Sequence, residues 1–421
     1  MRRYNGTASM LFLHVAVPRG IADFMLDVTL RDKAKGLLVP SRRGNVPPFM
    51  VMDVMAAAAK IEAEGSNVIH MEVGQPAAPA PQTAIVAARA ALDVGKIDYT
   101  AAIGIPSLRQ RISRHYRETY AQDVDPARIV ITTGSSGAFV LAFLSAFEPG
   151  DRVAITSPGY PPYRHILRAL GCEPVLIETT SATRHALTGE MLLEAHRKTP
   201  LKGVLVASPA NPTGTMMTRE AMSDLIAAAD SAGIRFISDE IYHGLDYAFP
   251  AVTAAQLSSE AIIINSFSKY FCMTGWRVGW IVVPDRLARS VETLQQNLSI
   301  SVPTLSQIAA EAAFDGCAEM DMIKHGYEEN RRILIEGLPK VGLTEFLPVD
   351  GAFYLYADVS KFNSDSLEFA KAMLQQAHVA ATPGVDFDPF HGKSFVRFSY
   401  SRSTQEIAEA VARITRWLAK G

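Results

Sequence analysis

Residues 203–239 read GVLVASPANPTGTMMTREAMSDLIAAADSAGIRFISD and contain a complete strand–helix–strand pattern. Residues 203–207 and 235–238 are short apolar runs with β-branched residues, which is typical of strands buried on both faces. Between them, residues 219–233 have the spacing of an amphipathic helix that stops at a glycine. The stretch therefore predicts two parallel strands joined by a helix.

The same alternation extends to both sides of this stretch. Residues 129–133, 152–156 and 261–265 are also short apolar runs, and helix-like segments lie between the runs. Parallel strands linked by helices form a sheet with helices on both faces. We therefore expect an α/β protein whose large domain, over residues 76–313, has a mostly parallel sheet covered by helices on both faces.

The chain changes character from about residue 314. A long charged helix, two alternating strands and a closing amphipathic helix are predicted there, over residues 323–341, 351–357, 394–400 and 404–418. These elements indicate a smaller α+β domain over residues 314–421. A strand predicted over residues 68–73 precedes the large domain, so we expect residues 38–75 to join the small domain.

Composition and charge exclude several classes of protein. The chain has 421 residues, 48% of them hydrophobic, with 41 Lys and Arg against 43 Asp and Glu. This apolar content indicates a folded core, and the net charge of −2 disfavours nucleic-acid and membrane-surface partners. No run approaches the roughly 18 apolar residues of a membrane span. Cys172, Cys272 and Cys317 are too scattered for a disulfide framework or a metal pair. We therefore predict no metal site, and we predict a cytoplasmic protein with reduced thiols.

The first residues differ in charge from the rest of the chain. Residues 1–43 contain eight basic and three acidic residues, a net charge of 8 − 3 = +5. The apolar run over residues 10–17 is short and contains His14, which makes it a poor secretory signal. A basic arm that binds nucleic acid is one alternative. We favour a poorly ordered extension over residues 1–37.

Polar residues follow every predicted strand of the large domain. They occupy positions 134–136, 157–160, 208–211, 239–240 and 266–269. Ligands gather at the carboxyl ends of parallel strands, so this edge of the sheet is the predicted binding site. A purely structural protein has no need for such a concentration of reactive groups.

Lys269 is the central candidate at this edge. It follows a buried strand, where an unpaired ammonium group is costly. A Schiff base with an aldehyde removes that charge, whereas a surface lysine is the simpler alternative. Ser266 and Ser268 precede it and Arg277 follows it, offering the hydroxyl and guanidinium donors that bind a phosphate.

Further candidates follow the other strands. Ser135 and Ser136 lie in a Gly-Ser-Ser-Gly turn before a predicted helix, where free N–H groups bind anions. Asp239 either caps the next segment or places a carboxylate against a protonated ring nitrogen. Tyr242, three residues later, reaches the same ligand. Asn211 lies in Asn-Pro-Thr-Gly, which is also an ordinary turn sequence.

Together, these motifs resemble the class I and II aminotransferases, fold-type I enzymes that use pyridoxal 5'-phosphate. The resemblance covers residues 40–420 and keeps the order and approximate spacing of the family's motifs. In this chain they are Gly74-Gln-Pro76, Tyr99 with Gly104 and Leu108-Arg109, Pro158-Gly-Tyr-Pro-Pro-Tyr163, Asn211-Pro-Thr-Gly214, Asp239-Glu-Ile-Tyr242, Ser266-Phe-Ser-Lys269, Gly275-Trp-Arg277 and Arg397.

The resemblance implies how the cofactor is bound. Lys269 would form a Schiff base with its aldehyde and later move the proton of the substrate's Cα. Asp239 would keep the pyridinium nitrogen protonated, so that the ring accepts electrons. Tyr242 and Asn211 would hydrogen-bond the ring's phenolic oxygen, and Tyr160 would stack on the ring. The phosphate ligands would be Ser135, Ser136, Ser266, Ser268 and Arg277.

The resemblance also implies the substrate contacts and the assembly. Arg397 would bind the substrate's α-carboxylate with its guanidinium fork, although the sequence pattern alone favours an exposed strand arginine. Gly74, through its backbone, and Asn211 would contact the same substrate. Tyr99 would reach the phosphate in the partner subunit, which implies a homodimer with shared active sites.

The predicted reaction moves the amino group of an α-amino acid to a 2-oxo acid. A β-elimination or decarboxylation with the same cofactor is the alternative, because a fold does not fix a reaction. A third is a non-enzymatic regulator, but such relatives carry an N-terminal DNA-binding domain that forty residues cannot form. Some aspartate-using relatives have a lysine where this chain has Ser136, so the sequence does not support aspartate as the substrate.

Overall fold

The computed structural model describes residues 41–419, and the predicted extension over residues 1–37 lies outside them. The chain separates into two units. In the first, which ends at Asn45, residues Arg42–Gly44 form a 3₁₀ turn. The second begins at Val46 and contains every element named below.

Strands and helices alternate along most of the second unit. The strands are β1 (Ile69–His70), β2 (Ile129–Thr132), β3 (Arg152–Ser157), β4 (Glu173–Glu178), β5 (Gly203–Ala207), β6 (Arg235–Asp239), β7 (Ile262–Ser266), β8 (Gly279–Val282), β9 (Tyr354–Asp358), β10 (Val379–Ala380), β11 (Thr382–Pro383) and β12 (Phe395–Ser399). The helices are α1 (Met50–Ala63), α2 (Gln82–Val94), α3 (Pro106–Tyr120), α4 (Gly134–Ala146), α5 (Pro161–Ala169), α6 (Gly189–Lys198), α7 (Arg219–Ser231), α8 (Asp285–Ser299), α9 (Thr304–Ala313), α10 (Cys317–Gly337), α11 (Ser366–Ala377) and α12 (Thr404–Leu418).

The large sheet has seven strands in the order β2-β8-β7-β6-β5-β3-β4. Its central pairs are parallel, and only β8 runs antiparallel to its neighbours β2 and β7. This confirms the mostly parallel sheet. Two of its strands, β4 and β8, were not predicted: β4 is an edge strand in which only Ile177 is buried, and β8 has four residues.

Helices cover both faces of this sheet, as predicted. Successive residues of β7 show this directly, because Ile262 and Ile264 pack into one apolar cluster and Ile263 packs into another. The first cluster includes residues of α4, α5 and α8, and the second includes residues of α2, α3, α7 and α9. A strand that is buried on both faces carries apolar residues without alternation, which is why these strands were visible in the sequence.

A smaller sheet forms from the C-terminal part of the chain. Strands β11, β12 and β9 are antiparallel neighbours, and β1 pairs in parallel with β10 through Ile69 and Val379. The N-terminal segment therefore lies beside the C-terminal one. The strand predicted over residues 68–73 is shorter, since only two of its residues pair. The domain limits at residues 75 and 313 stay a prediction.

Several helix limits differ from those predicted. Helix α4 begins at Gly134, so the Gly-Ser-Ser-Gly stretch is its first turn and does not precede it. Helix α10 begins at Cys317, earlier than expected, and its last predicted turn is 3₁₀ over Leu338–Val341. Helix α12 has the predicted limits, with a capping box between Ser403 and Glu406. None of the helices within residues 41–419 is long and apolar enough to cross a membrane.

Candidate active site

A cavity of about 380 Å³ lies at the carboxyl edge of the large sheet, facing the small sheet. Its wall contains all of the predicted site residues except Ser266 and Tyr99. These lining residues are Gly74, Ser135, Ser136, Tyr160, Asn211, Asp239, Tyr242, Ser268, Lys269, Arg277 and Arg397. Strands β5, β6 and β7 end here, and β12 brings Arg397 from the opposite side.

Lys269 lies three residues beyond β7 and is half-buried. Its Nζ donates a hydrogen bond to the carbonyl oxygen of Gly74 at 2.5 Å. Burial lowers the pKa of Lys269 to about 8, and the positive charges of Arg397 and Arg277 act in the same direction, against the opposing charge of Asp239. The amine is therefore neutral far more often near neutral pH than an ordinary lysine.

Asp239 is the last residue of β6, and only 3% of it is exposed. Burial raises the pKa of its carboxyl to about 6, although the Tyr163 hydroxyl, the Ile241 N–H and the charge of Lys269 each oppose this. The Tyr163 hydroxyl and the Ile241 N–H, at 3.1 Å, donate to its two oxygens. These donors stabilise a buried carboxylate that faces the cavity.

Tyr163 and Tyr354 are site residues whose roles the sequence did not reveal. Tyr163 was recognised only as part of a motif. Tyr354 comes from β9, and its hydroxyl lies 2.7 Å from that of Tyr242. Both contacts join residues far apart in the chain, which periodicity cannot detect.

Gly74 has no room for a side chain. A Cβ at this position would lie 1.8 Å from the Tyr354 hydroxyl oxygen. The glycine is thus required by the close approach of Tyr354.

Arg397, on β12, is only 2% exposed, so the expectation of an exposed strand arginine is wrong. Its Nη1 donates to Asn211 Oδ1 at 2.9 Å, and its Nη2 donates to the Glu72 carbonyl and to Thr382 Oγ1. Its Nε is buried without a partner. A buried guanidinium at the cavity wall is suited to bind a carboxylate.

The start of α4 and Arg277 form a second positive region. The guanidinium lies so close to this helix that a Cβ on Gly134, where φ is +67°, would be 2.4 Å from Arg277 Nη2. Ser135 and Ser136 occupy the first turn, where N–H groups lack helical partners. The combination of a helix N-terminus and a guanidinium is a binding site for a phosphate or similar anion.

The remaining predicted residues have different environments. The Ser266 hydroxyl lies behind the cavity wall, 2.9 Å from Ser268 Oγ and 3.1 Å from the Val278 carbonyl. Tyr160 makes edge contacts with Tyr163 and with Phe49, whose ring centroids lie 5.2 and 6.0 Å away. Tyr99 is 80% exposed and does not line the cavity of its own chain.

An apolar part of the wall comes from the beginning of α1. Phe49, Val51 and Met52 line the cavity there. These three residues belong to the segment 38–75 that is predicted to join the small domain, and the sequence predicts no role for them in the site. The apolar residues of this segment looked like ordinary helix residues, so no sequence signal distinguished the ones that face the cavity.

A sequence model of the family described as aminotransferase class I and II matches residues 66–414. The chain belongs to the class I and II aminotransferases. It therefore moves an amino group from an α-amino acid to a 2-oxo acid.

Individual relatives agree with this assignment. The aminotransferase is 48% identical to valine–pyruvate aminotransferase of Mycobacterium tuberculosis over 89% of this chain and 97% of the relative. A crystal structure of an aminotransferase from Mycobacterium tuberculosis superposes with a TM-score of 0.89 at 48% identity, covering 91% of this chain and all of that one. The structure of aspartate aminotransferase from Thermus thermophilus with maleate superposes with a TM-score of 0.85 at 30% identity. The match covers 90% of this chain and 99% of that one. These matches support the transaminase prediction over the lyase and regulator alternatives.

We expect Gly74→Ala to lower the activity of the aminotransferase about 100-fold, because the new methyl group displaces Tyr354 or the Gly74 carbonyl by about 1 Å. Steady-state turnover of the variant measures this loss. Gly326→Ala in α10 is the control, since no atom lies within 4 Å of its added Cβ, and full activity is expected. Equal activity of the two variants would contradict the close packing at Gly74.

We expect 1-fluoro-2,4-dinitrobenzene, a reagent that does not itself titrate, to arylate Lys269 at a rate that is half-maximal at about pH 8, because burial and two guanidinium groups lower the pKa of this amine. The aminotransferase is first freed of bound carbonyl compounds, and peptide mass spectrometry then follows the modification between pH 6 and 11. The exposed Lys60 is the internal comparison. A rate at Lys269 that keeps rising up to the usual lysine value of about 10.4 would refute the lowered pKa.

Proposed function

We propose that this aminotransferase uses pyridoxal 5'-phosphate to move the amino group of a small aliphatic α-amino acid, such as valine, to pyruvate. The observation that carries the proposal is the composition of the cavity wall. It combines a buried guanidinium, Arg397, with the apolar side chains Phe49, Val51 and Met52. The relative named valine–pyruvate aminotransferase, at 48% identity, supports the same choice of substrates.

The residues of the cavity fit the cofactor. A phosphate fits the start of α4, where the Arg277 guanidinium lies against Gly134. A protonated ring nitrogen fits the buried Asp239 carboxylate, and an aldehyde fits the amine of Lys269. When bound, pyridoxal phosphate supplies a carbonyl that combines with amines and a ring that accepts electrons from the substrate's Cα.

Lys269, Asp239 and Arg397 would then each act on a different atom or group of the substrate or the cofactor. The amine of Lys269 takes the proton from the substrate's Cα and returns it, which its lowered pKa allows near neutral pH. The carboxylate of Asp239, held by Tyr163, keeps a proton on the ring nitrogen by its charge. The guanidinium of Arg397 binds the α-carboxylate and so orients the Cα–H bond toward Lys269.

The charges of the cavity favour an apolar substrate side chain. Among the described residues that line it, the cationic side chains are Lys269, Arg277 and Arg397, and each already has a task. None of these lining residues is left to bind a second carboxylate. The apolar residues at the start of α1 instead offer a surface on which a branched aliphatic side chain loses water.

We also propose a homodimer with shared active sites. Leu92, Val94, Tyr99, Leu298 and Ile300 are large apolar residues with more than half of their surface exposed. A hydrogen bond from Thr304 Oγ1 to the Asp98 carbonyl, at 2.5 Å, joins the two segments that carry them. Clusters of exposed apolar residues are characteristic of subunit interfaces. Tyr99 would project from this surface into the site of the partner.

We further propose that the protein works in the cytoplasm. Its three cysteines, Cys172, Cys272 and Cys317, are all free thiols. Free thiols persist in a reducing compartment.

We expect the purified enzyme, supplied with pyridoxal phosphate, to convert valine and pyruvate to the 2-oxo acid of valine and alanine. We expect kcat/KM for valine to exceed that for aspartate about tenfold or more, because no cation among the described residues of the cavity wall is left to bind the second carboxylate. Chromatography of both products measures the reaction. Lys269→Ala is the control and should keep its circular dichroism but lose turnover. A preference for aspartate would refute the proposed substrate, and turnover by the Lys269 variant would refute its role.

We expect the double variant Val94→Asp, Leu298→Asp to be monomeric and inactive, because two charges in an apolar interface are costly. Light scattering after size-exclusion chromatography measures the mass, which should be half that of the wild-type protein. Met322→Asp, also exposed but on α10, is the control and should remain dimeric. A wild-type protein that is already monomeric would refute the dimer.

A further inference from the structure

Two buried ionisable residues lie within the turn that carries Asp239 and Tyr242 but do not line the cavity. Glu240 is 1% exposed and His243 is 6% exposed. The Glu240 Oε1 atom accepts hydrogen bonds from the Ala254 N–H at 2.8 Å and from Ser238 Oγ at 3.1 Å. Its other oxygen, Oε2, is buried without a hydrogen-bond partner and lies 3.5 Å from His243 Nδ1.

The ring of His243 joins two strand ends. Its Nε2 lies 3.0 Å from the carbonyl oxygen of Ser208, which only accepts, so Nε2 must carry a hydrogen. Ser208 follows β5 and precedes the turn with Asn211, and its N–H donates to the Asp239 carbonyl at 3.3 Å. His243 therefore ties the turn of Asn211 to the turn of Asp239 and Tyr242.

The hydrogen bonds around His243 indicate the protonation state of the Glu240 carboxyl group. With a hydrogen on Nε2, a neutral His243 has a lone pair at Nδ1, which lies 2.8 Å from the Tyr120 hydroxyl and accepts a hydrogen bond from it. An ionised Glu240 would then place charge on a buried oxygen, Oε2, that accepts no hydrogen bond, which is costly. The buried pair therefore needs one further proton, either on Glu240 Oε2 or on His243 Nδ1, which then no longer accepts from Tyr120. On Glu240 it leaves both groups uncharged, whereas on His243 it creates two buried charges.

The charges around the pair favour the uncharged arrangement. Asp239 is the neighbouring carboxylate, and its negative charge acts against ionisation of Glu240. His115, on α3, acts against a charged His243. The other titratable groups that face the pair are Tyr116 and Tyr120 on α3, whose hydroxyls stay protonated because burial raises their pKa values.

We propose that Glu240 is an uncharged carboxylic acid at neutral pH, and that Glu240 and His243 form a positioning pair that fixes Asn211, Asp239 and Tyr242 at the cofactor site. Burial raises the pKa of Glu240 to about 8 and lowers the pKa of His243 to about 3, in agreement with this arrangement. Asp239 then remains the only carboxylate of its turn that is charged. The positioning role rests on the proposed cofactor, whereas the protonation state does not.

The protonation state is tested by Glu240→Gln, which keeps the shape but cannot ionise. Folded Glu240 holds a proton that the unfolded chain releases near pH 4.5, so the wild-type free energy of unfolding falls as pH rises toward about 8 and then levels. The free energy of unfolding of the Glu240→Gln variant does not include this decrease with pH. Urea unfolding of both holoenzymes at pH 6, 7, 8 and 9 should therefore show the wild type losing stability relative to the variant between pH 6 and 8.

The control for this experiment is Glu194→Gln on α6. Glu194 forms an ion pair with Lys198, which lowers the pKa of its carboxyl, so it is ionised throughout this range. The difference between wild type and this variant should be constant from pH 6 to 9. A constant difference for Glu240→Gln as well would show that Glu240 is ionised and would overturn the proposed protonation state.

The positioning role is tested by two polar variants of His243. In His243→Gln the side-chain amide reaches the Ser208 carbonyl, whereas in His243→Asn it is too short. We expect the dissociation constant of pyridoxal phosphate, measured by fluorescence titration, to rise about tenfold in the Asn variant and less than about threefold in the Gln variant. Equal changes in both would overturn the positioning role. A wild-type protein that binds no pyridoxal phosphate would overturn the proposed function, but not the protonation state.

Discussion

The buried carboxylate of Asp239 is the constraint on which the site depends. A charge with 3% exposure needs donors, which Tyr163 and the Ile241 N–H supply, and the charge of the Lys269 amine stabilises it further. Each comes from a different strand end of the large sheet. The parallel arrangement of β3, β6 and β7 brings these ends together. The stability of the Asp239 carboxylate therefore depends on the topology of the sheet.

The positive groups of the site are arranged around this carboxylate. Lys269, Arg277 and Arg397 share one cavity, and burial, together with the charges of the two arginines, lowers the pKa of the Lys269 amine. One guanidinium group lies against the start of α4 and the other is hydrogen-bonded to Asn211, so the cavity has two separate places for anions.

The sequence allowed much of this to be predicted, and its failures have physical causes. Strands such as β5 and β7, buried on both faces, stand out as apolar runs, whereas the edge strand β4 does not. Most of the catalytic candidates followed such strands and are found at the cavity. The burial of Arg397 was missed because its neighbours, Asn211 and the Glu72 carbonyl, are distant in sequence. Contacts of that kind depend on packing, which periodicity does not record.

The pairing of β1 with β10 has a consequence for the order of folding. The bond from Thr382 Oγ1 to the Glu72 carbonyl spans 310 residues, and Gly74 and Arg397 meet in the same region. During synthesis on the ribosome, the seven strands of the large sheet have emerged before this C-terminal segment exists. The sheet can therefore form early, whereas the cavity closes only once the last strand has been made. A nascent chain released too soon would have a folded sheet without a substrate pocket.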